Sequence, residues 1–283
     1  MYTVFRMRRR HFLSLAAAPA FAAARPKVVF VCGDHEYSGE FTLPLVAAEL
    51  EKYYGISTAV LKSAPDQNGE TDIPSLDALA SAQLAVFYLR WRRLPAEQLA
   101  HIDRYIRSGR PAMAFRTTSH AFRYPKGDPL ETWNAWGAEA FGTPPGWGGD
   151  GHTHYGHKST TDVKTAPTAH PVTAGLPPAF NVRSWLYRVR PKWPPQDAAI
   201  LLNGTAVNPD KPAEENPVAW AWTNQYKGRT IYTSLGHPED FTVEPFQRFV
   251  FQAIQWSLNP TKKPAWKGPV EIKVPYRGMV KTG

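Results

Sequence analysis

Cysteine is almost missing from this chain: Cys32 is the one thiol among 283 residues. No intrachain disulfide can therefore form. Cys32 sits in an apolar run, residues 27–33, where a small buried side chain is expected. A catalytic thiol needs an exposed, electropositive setting instead. Long apolar runs are also missing. Behind the N-terminal region no segment approaches the roughly 20 residues needed to span a bilayer, which argues against stable membrane insertion of the mature chain. There is no Gly-x-Ser-x-Gly elbow and no HExxH helix. The most readable patterns of a serine hydrolase and a zinc protease are thus absent. A broad basic face is lacking too. The net charge of +9 is concentrated at the ends. Arg6, Arg8, Arg9 and Arg10 supply +4, the stretch after Pro260 supplies +5, and the body between them is neutral. A neutral body speaks against a nucleic-acid partner.

The chain is rich in aromatics, with 13% Phe, Trp and Tyr and 10 Trp. Such rings fill cores and also stack on sugar rings. At the N-terminus, Arg8-Arg9-Arg10-His11-Phe12-Leu13 precedes a short apolar stretch and small-x-small cleavage candidates at 20–22 and 22–24. This is the pattern of a secretory leader of the twin-arginine type. The expected organisation is a leader over 1–24, one α/β domain over 25–260 and a basic tail over 261–283. The expected location is the periplasm, or another compartment reached by export.

Strand and helix patterns alternate through the first half. Strands are expected over 27–32, 56–61, 84–89 and 112–115. Helices are expected over 43–53, where apolar residues recur at helical spacing, and over 95–108, which starts on Pro95 and stops at Gly109. This order predicts an open, mostly parallel sheet with helices on both faces. The stretch 124–211 is rich in Pro, Gly and Trp and reads as an insertion with short strands at best, with a helix over 130–141. A hairpin over 218–226 and 230–234 and a helix over 243–258 follow. The tail offers one edge strand around 270–274 or a loose arm.

The most informative stretch is 111–122. Its apolar run stops abruptly at Arg116-Thr117-Thr118-Ser119-His120. In open α/β sheets the ligand crevice lies beyond the carboxyl ends of the strands. Three other strands end the same way: Gly33-Asp34-His35-Glu36-Tyr37, Arg90-Trp91-Arg92-Arg93, and Leu235-Gly236-His237-Pro238-Glu239-Asp240. Parallel connectivity would gather all four clusters on one rim.

At these residues the chain resembles the ThuA-like (trehalose utilisation) family. The same order is carried by Leu94-Pro95-Ala96-Glu97-Gln98, His170-Pro171-Val172-Thr173-Ala174-Gly175-Leu176, Pro217-Val218-Ala219-Trp220 and Ser234-Leu235-Gly236-His237. The resemblance covers about residues 27–258. It implies the class I glutamine amidotransferase-like fold, a flavodoxin-like architecture, and a link to trehalose and oxidised disaccharide breakdown. Those amidotransferases place a Cys on a tight turn after a strand, with a His-Pro-Glu further on. Here His237-Pro238-Glu239 matches the second element, but Arg116 stands where the Cys would be. A guanidinium is no nucleophile, so glutamine hydrolysis by a thiolate is excluded.

The resulting expectation is a small-molecule carbohydrate or keto-disaccharide bound at the rim. His120, His237, Glu239 and Glu36 are the expected catalytic residues, with the two imidazoles facing each other and the carboxylates orienting them. Arg116, His35, Arg90, Arg92, Trp91, Ser119 and Asp240 are the expected binding residues. Hydrolysis and proton transfer are both open, and a non-catalytic carbohydrate-binding module is the alternative. A third reading uses the loop 146–157. There His152, His154 and His157 present imidazoles that suit Zn²⁺ or a similar divalent metal, and hence a metal-dependent hydrolase.

Overall fold

The chain forms, in order, β1 (Lys27–Gly33), α1 (Gly39–Tyr53), β2 (Ser57–Lys62), β3 (Leu84–Leu89), α2 (Ala96–Arg107), β4 (Ala112–Phe115) and α3 (Trp136–Phe141). There follow β5 (Thr153–His154), β6 (Thr160–Thr165), β7 (Ala179–Val182), β8 (Tyr187–Arg188), β9 (Ala199–Val207), β10 (Asn216–Thr223), β11 (Arg229–Thr233) and α4 (Glu244–Leu258). The computed structural model describes Met1 and residues 24–279. The expected twin-arginine pattern and its apolar core lie outside the described residues. Among the described residues no helix is long and apolar enough to cross a membrane.

Nine strands make one sheet in the order β2-β1-β3-β4-β11-β10-β9-β6-β7. The first five are mutually parallel. Every residue of β3, and of β1 after Lys27, is buried, as both faces of a parallel sheet require. Alternation assigns the faces. Val28, Phe30 and Cys32 pack with Leu43, Val46 and Leu50 of α1 and with Phe246 and Val250 of α4. Val29 and Val31 pack with Leu99, Ile102 and Ile106 of α2 and with Phe141 of α3. Each fully buried side chain of this kind contributes roughly 1.5–3 kcal/mol. A one-residue slip of β1 would exchange its two faces, so the register is strongly specified.

The parallel half and the β10–β11 hairpin follow the expectation. The middle of the chain does not: between 124 and 211 it builds real strands, not merely short ones. β6 and the nine-residue β9 pair antiparallel with each other, β9 pairs with β10, and β7 closes the edge. In β6, Thr161 and Val163 are buried while Asp162 and Lys164 are exposed, the period-2 pattern of a strand covered on one face. Pro and Trp dominate the loops around these strands and mask that pattern in composition. The helix expected over 130–141 divides into a tight turn, Glu131–Ala135, and α3. Gly137 lets α3 lie on the turn after β4, because a Cβ there would stand 2.7 Å from the Ser119 carbonyl oxygen.

The tail is neither a strand nor a loose arm. It runs back along α4, held by two reciprocal amide clips. Gln255 donates to and accepts from the backbone of Ala265 (2.9 Å each), and Gln247 does the same with Val270 (2.7 and 3.0 Å). Ile272 is buried. The arm therefore reaches the end of the sheet where the strand-end clusters gather.

Candidate functional site

β1, β3, β4 and β11 are neighbours and parallel, so their polar ends share one rim. The turn after β4, Arg116–His120, is a single 3-10 turn locked by its own hydroxyls. Thr118 Oγ1 donates to the Phe87 carbonyl and accepts the Leu89 N–H, both at 3.1 Å. Thr117 Oγ1 donates to Asp34 at 3.3 Å. The turn after β3 pairs with it: the Trp91 N–H donates to His120 O and the Arg92 N–H to Ala121 O. Two bulky residues at these neighbouring strand ends, Trp91 (φ 51°) and Arg116 (φ 39°), hold left-handed backbone. Each such residue costs about 1–3 kcal/mol and clusters of them accompany functional sites.

Arg116 occupies the elbow position with the expected sharp turn, but it is 0% exposed. Its Nη1 donates to Ser234 O (2.7 Å) and Trp185 O (3.3 Å), and its Nη2 to Tyr37 Oη (3.2 Å). The rings of Tyr37, Trp185 and Tyr187 surround its Cζ at 4.3, 4.9 and 4.5 Å. Among the described residues no carboxylate pairs with it; carbonyl dipoles and aromatic faces carry the charge. The expected direct hold on a substrate is therefore corrected: Arg116 is a cation beneath the floor.

Above that floor lies a cleft of about 200 Å³. Glu36, Arg90, Trp91 and His120 line it from the strand ends, with Tyr37. Arg90 Nε pairs with Glu36 at 2.7 Å, its Nη1 meets His35 Nε2 at 2.8 Å, and its guanidinium lies 3.4 Å from the Trp91 ring centre. From the insertion come Trp147, His154, His157 and Tyr187, and from the tail Met279. A neighbouring cleft of about 310 Å³ shares Trp91, His120 and Trp147. Another cavity, between Pro26, Tyr54 and Lys262, lies beyond the opposite ends of the strands and holds none of these groups.

Burial favours the neutral form of His35, His120, His152 and His154. Burial, then the His152, Arg90 and Arg116 charges, hold His120 well below the usual range. Its Nδ1 lies 3.0 Å from Ser119 Oγ, whose proton goes to Arg116 O. The hydroxyl thus accepts Nδ1–H, and Nε2 keeps its lone pair. Burial pulls His152 down to about 4. Its Nδ1–H donates to Gly146 O at 2.9 Å, and its buried Nε2 has no partner. Burial lowers His154 to about 4, helped by His157. Burial, with Arg92 and Arg90, lowers His35 to about 3. Beside them, burial and the Glu36 charge raise Asp34 to about 6.

His237 stands in a separate chamber. Its ring neighbours are Tyr37, Trp185 and Tyr276, whereas those of His120 are Trp91, Trp147, His152 and Tyr187. The two imidazoles therefore do not face each other, contrary to the expectation. His237 Nδ1 accepts the Glu239 N–H at 3.3 Å, which leaves the proton on Nε2, buried and without a partner. Burial, then Arg116 and Arg183, lower it to about 3.

Other expected roles change as well. Glu239 is 58% exposed and its carboxylate comes only within 4.0 Å of His237. Asp240 is fully buried and accepts from the backbone N–H groups of Ser184, Gly236 and His237 and from the Ser184 hydroxyl. It shapes the turn after β11 and has no face for a ligand. Arg92 is likewise 0% exposed; it donates to Gly69 O (2.6 Å), Arg90 O (2.8 Å) and Ser63 Oγ (3.1 Å) and contacts His35. Ser119 sits behind His120 and is buried. His152, His154 and His157 do not converge on one point: Trp147 lies against both His152 and His154, and the His157 ring lies tilted against His154 with centres 4.4 Å apart. Among the described residues no three His, Cys, Asp or Glu side chains could hold a metal ion. Cys32 is buried and burial pushes its thiol up, as its place in a central strand implied. Tyr37, Tyr187, Tyr276 and Met279 were not foreseen. Tyr37 had a signal, since it closes the first strand-end cluster; the others carry none.

The ThuA family model, described as trehalose utilisation, matches residues 47–257. No curated protein matches the chain. Among solved structures, a ThuA-like protein from Parabacteroides merdae is similar at 18% identity and a TM-score of 0.63, covering 89% of this chain and 98% of that one. A ThuA-like protein from Bacteroides uniformis is similar at 17% identity and a TM-score of 0.56, with the same coverage. Likenesses at such low identity speak to the fold. The family match spans about three quarters of the sequence and runs from α1 to the end of α4, so this chain belongs to the ThuA (trehalose utilisation) family.

Proposed function

We propose that the cleft binds one ring of a carbohydrate and moves a proton on a keto-disaccharide derivative, with His120 as the base. The observation that carries this reading is the His120 imidazole in the cleft wall. It is neutral, its Nδ1 is held by Ser119, and its Nε2 lone pair is free of protein partners. Beside it Arg90 is fixed by Glu36 and His35, and among the described residues its Nη2 carries no hydrogen bond. His120 Nε2 takes the proton from the carbon next to a ketone, and Arg90 stabilises the oxygen on which charge develops. Trp91, Trp147 and Tyr187 supply faces for a sugar ring. The cleft is smaller than the ~300–1,000 Å³ of drug-sized sites, which suits a single ring. Hydrolysis by a carboxylate pair is disfavoured, because Glu36 is tied to Arg90 and Asp34 and Asp240 are buried. We further propose, from the twin-arginine-type pattern Arg9-Arg10-His11-Phe12-Leu13, that this chemistry takes place outside the cytoplasm.

The alternative is a non-catalytic carbohydrate-binding module, favoured by the guanidinium in the elbow. One experiment separates the two. The protein is incubated in D2O with trehalose and with a keto-derivative of trehalose, with and without EDTA. Binding is read by calorimetry and loss of the proton beside the ketone by NMR. Proton exchange that is insensitive to EDTA, and that falls ~10²–10⁴-fold in His120→Gln with binding retained, supports catalysis. Binding without exchange leaves the module; no binding of either sugar rejects both.

A further inference from the structure

Residues 273–279 of the C-terminal arm pass over a second aromatic chamber that Tyr276 fills. Tyr276 is 38% exposed. Its ring stacks on Tyr37 (centres 6.0 Å apart, planes 27° apart), leans on His237 (4.5 Å) and meets Trp185 edge-on (6.1 Å). Below it lies an imidazole that, alone among those of the described residues, keeps a buried N–H without a partner: His237 Nδ1 is occupied by a backbone N–H, so Nε2 carries a proton that goes nowhere. A buried unpaired donor is costly. Such a group is expected where a ligand oxygen completes the site. Tyr37 joins this chamber to the first cleft, because it lines that cleft and also carries Tyr276.

The arm is fastened unevenly. Up to Val270 it is held by the amide clips on α4, and Ile272 is buried. Among the described residues no hydrogen bond fastens 271–279 to the body. Beyond the buried Ile272 the contacts are those of the Tyr276 ring, of Met279 in the first cleft, and of Arg277, whose guanidinium lies 4.8 Å from the Phe41 ring centre. Ring contacts and an exposed cation–π pair are individually weak, so residues 273–279 can leave while the clips hold.

The geometry points to a second carbohydrate subsite under the arm: Tyr276 is a removable placeholder for a sugar ring, and His237 Nε2–H is the donor that reads one of its oxygens. This deepens the proposed function from a single ring to a disaccharide spanning Tyr37. The site opens when residues 273–279 lift.

The test uses the full chain, with Tyr276→Ala to empty the chamber and Tyr276→Phe to keep the ring. Exchange of the His237 Nε2–H with D2O, followed by NMR, reads the reactivity of that one buried proton. The proposal expects it to exchange at least ~10-fold faster in Tyr276→Ala than in the wild type or Tyr276→Phe, as loss of a cover worth about 1.4 kcal/mol predicts. It also expects trehalose to protect His237 in Tyr276→Ala and to bind it more tightly by calorimetry. Equal reactivity in all three proteins overturns the cover. Faster reactivity with weaker trehalose binding makes Tyr276 a fixed part of the site and overturns the placeholder. The His237 reactivity is read without sugar, so it stands apart from whether the first cleft binds carbohydrate at all.

Discussion

The two walls of the cleft are built on different physics. The strand-end wall is a lattice of directed polar bonds: Glu36 to Arg90, Arg90 to His35, Arg92 to four backbone or side-chain oxygens, and Asp240 to four donors. The opposite wall is made of rings. Trp147 meets His120, His152, His154 and Tyr187 at 4.9–5.7 Å, and His157 sits between His154, to which it is tilted, and Trp185, which it meets edge-on. Charge-assisted bonds fix distance and angle; ring contacts tolerate sliding. The first wall is therefore suited to place a base and a cation against reacting atoms. The second is suited to accommodate the face of a variable ring.

Removing the cation beneath the floor tests the first wall most severely. Arg116→Met is close in reach but offers no donors. The Ser234 and Trp185 carbonyls lose their partner and three rings lose a charge that they surround. With about 1–3 kcal/mol for each buried carbonyl left unpaired, urea denaturation is expected to show a loss of about 3–5 kcal/mol. A loss under about 1 kcal/mol would mean that the guanidinium is dispensable to the floor, and the contrast between the walls would fail.

The strand-end wall was legible in the sequence because β1, β3 and β4 are apolar runs that stop at clusters of polar residues. Which members face the cleft was not. Arg90 and Arg92 are the same residue type two positions apart, yet the first lines the cleft and the second is sealed beneath it. The difference lies in the turn: Trp91 at φ 51° breaks the alternation, and the carbonyls of Gly69 and Arg90 are there to receive Arg92. The ring wall was barely legible. Tyr187 and Tyr276 reach the site through a two-residue strand and an arm whose geometry no periodicity encodes, and His152, whose spacing suits a metal ligand, is packed against Trp147 instead.

Acid sharpens the comparison next. His35, His120, His152, His154 and His237 all have folded pKa values depressed below the unfolded value of about 6.5. Below that value the unfolded chain binds protons that the folded chain does not. Their contribution is thus fully present above pH 6.5 and is lost as pH falls toward 4 and 3. Asp34 and Glu40, raised to about 6 and 8, and Asp240, also raised, all mainly by burial, act in the opposite sense. With these five imidazoles and His170, which burial also lowers, against three carboxyls, stability in urea is expected to fall by at least about 2 kcal/mol between pH 7 and 4, one pKa unit being worth about 1.36 kcal/mol. His152→Asn keeps a donor for Gly146 but cannot titrate, so its slope should be shallower. An unchanged slope would place the acid sensitivity in the strand-end wall, with His35 and His120.

The smallest expected effect on stability is at Trp147, and it probes the ring wall alone. Trp147 is 37% exposed, so Trp147→Ala removes only part of a buried ring's worth, and no hydrogen bond of its side chain is recorded among the described residues. A loss near 1 kcal/mol is expected, below the usual ~3–5 kcal/mol for a core Trp. The larger consequence is electrical. Trp147 covers His120 and His152, and burial is the leading cause of the low pKa of each. Opening that cover admits water, and both imidazoles should rise toward 6.5 in an NMR titration of their ring C–H signals. His35, held down by burial and by Arg92 and Arg90 on the other wall, should not move. If all three shift together, the walls are one continuous shell and the distinction between them is lost. If only His120 and His152 shift, the ring wall sets the protonation of the proposed base while the strand-end wall sets its position.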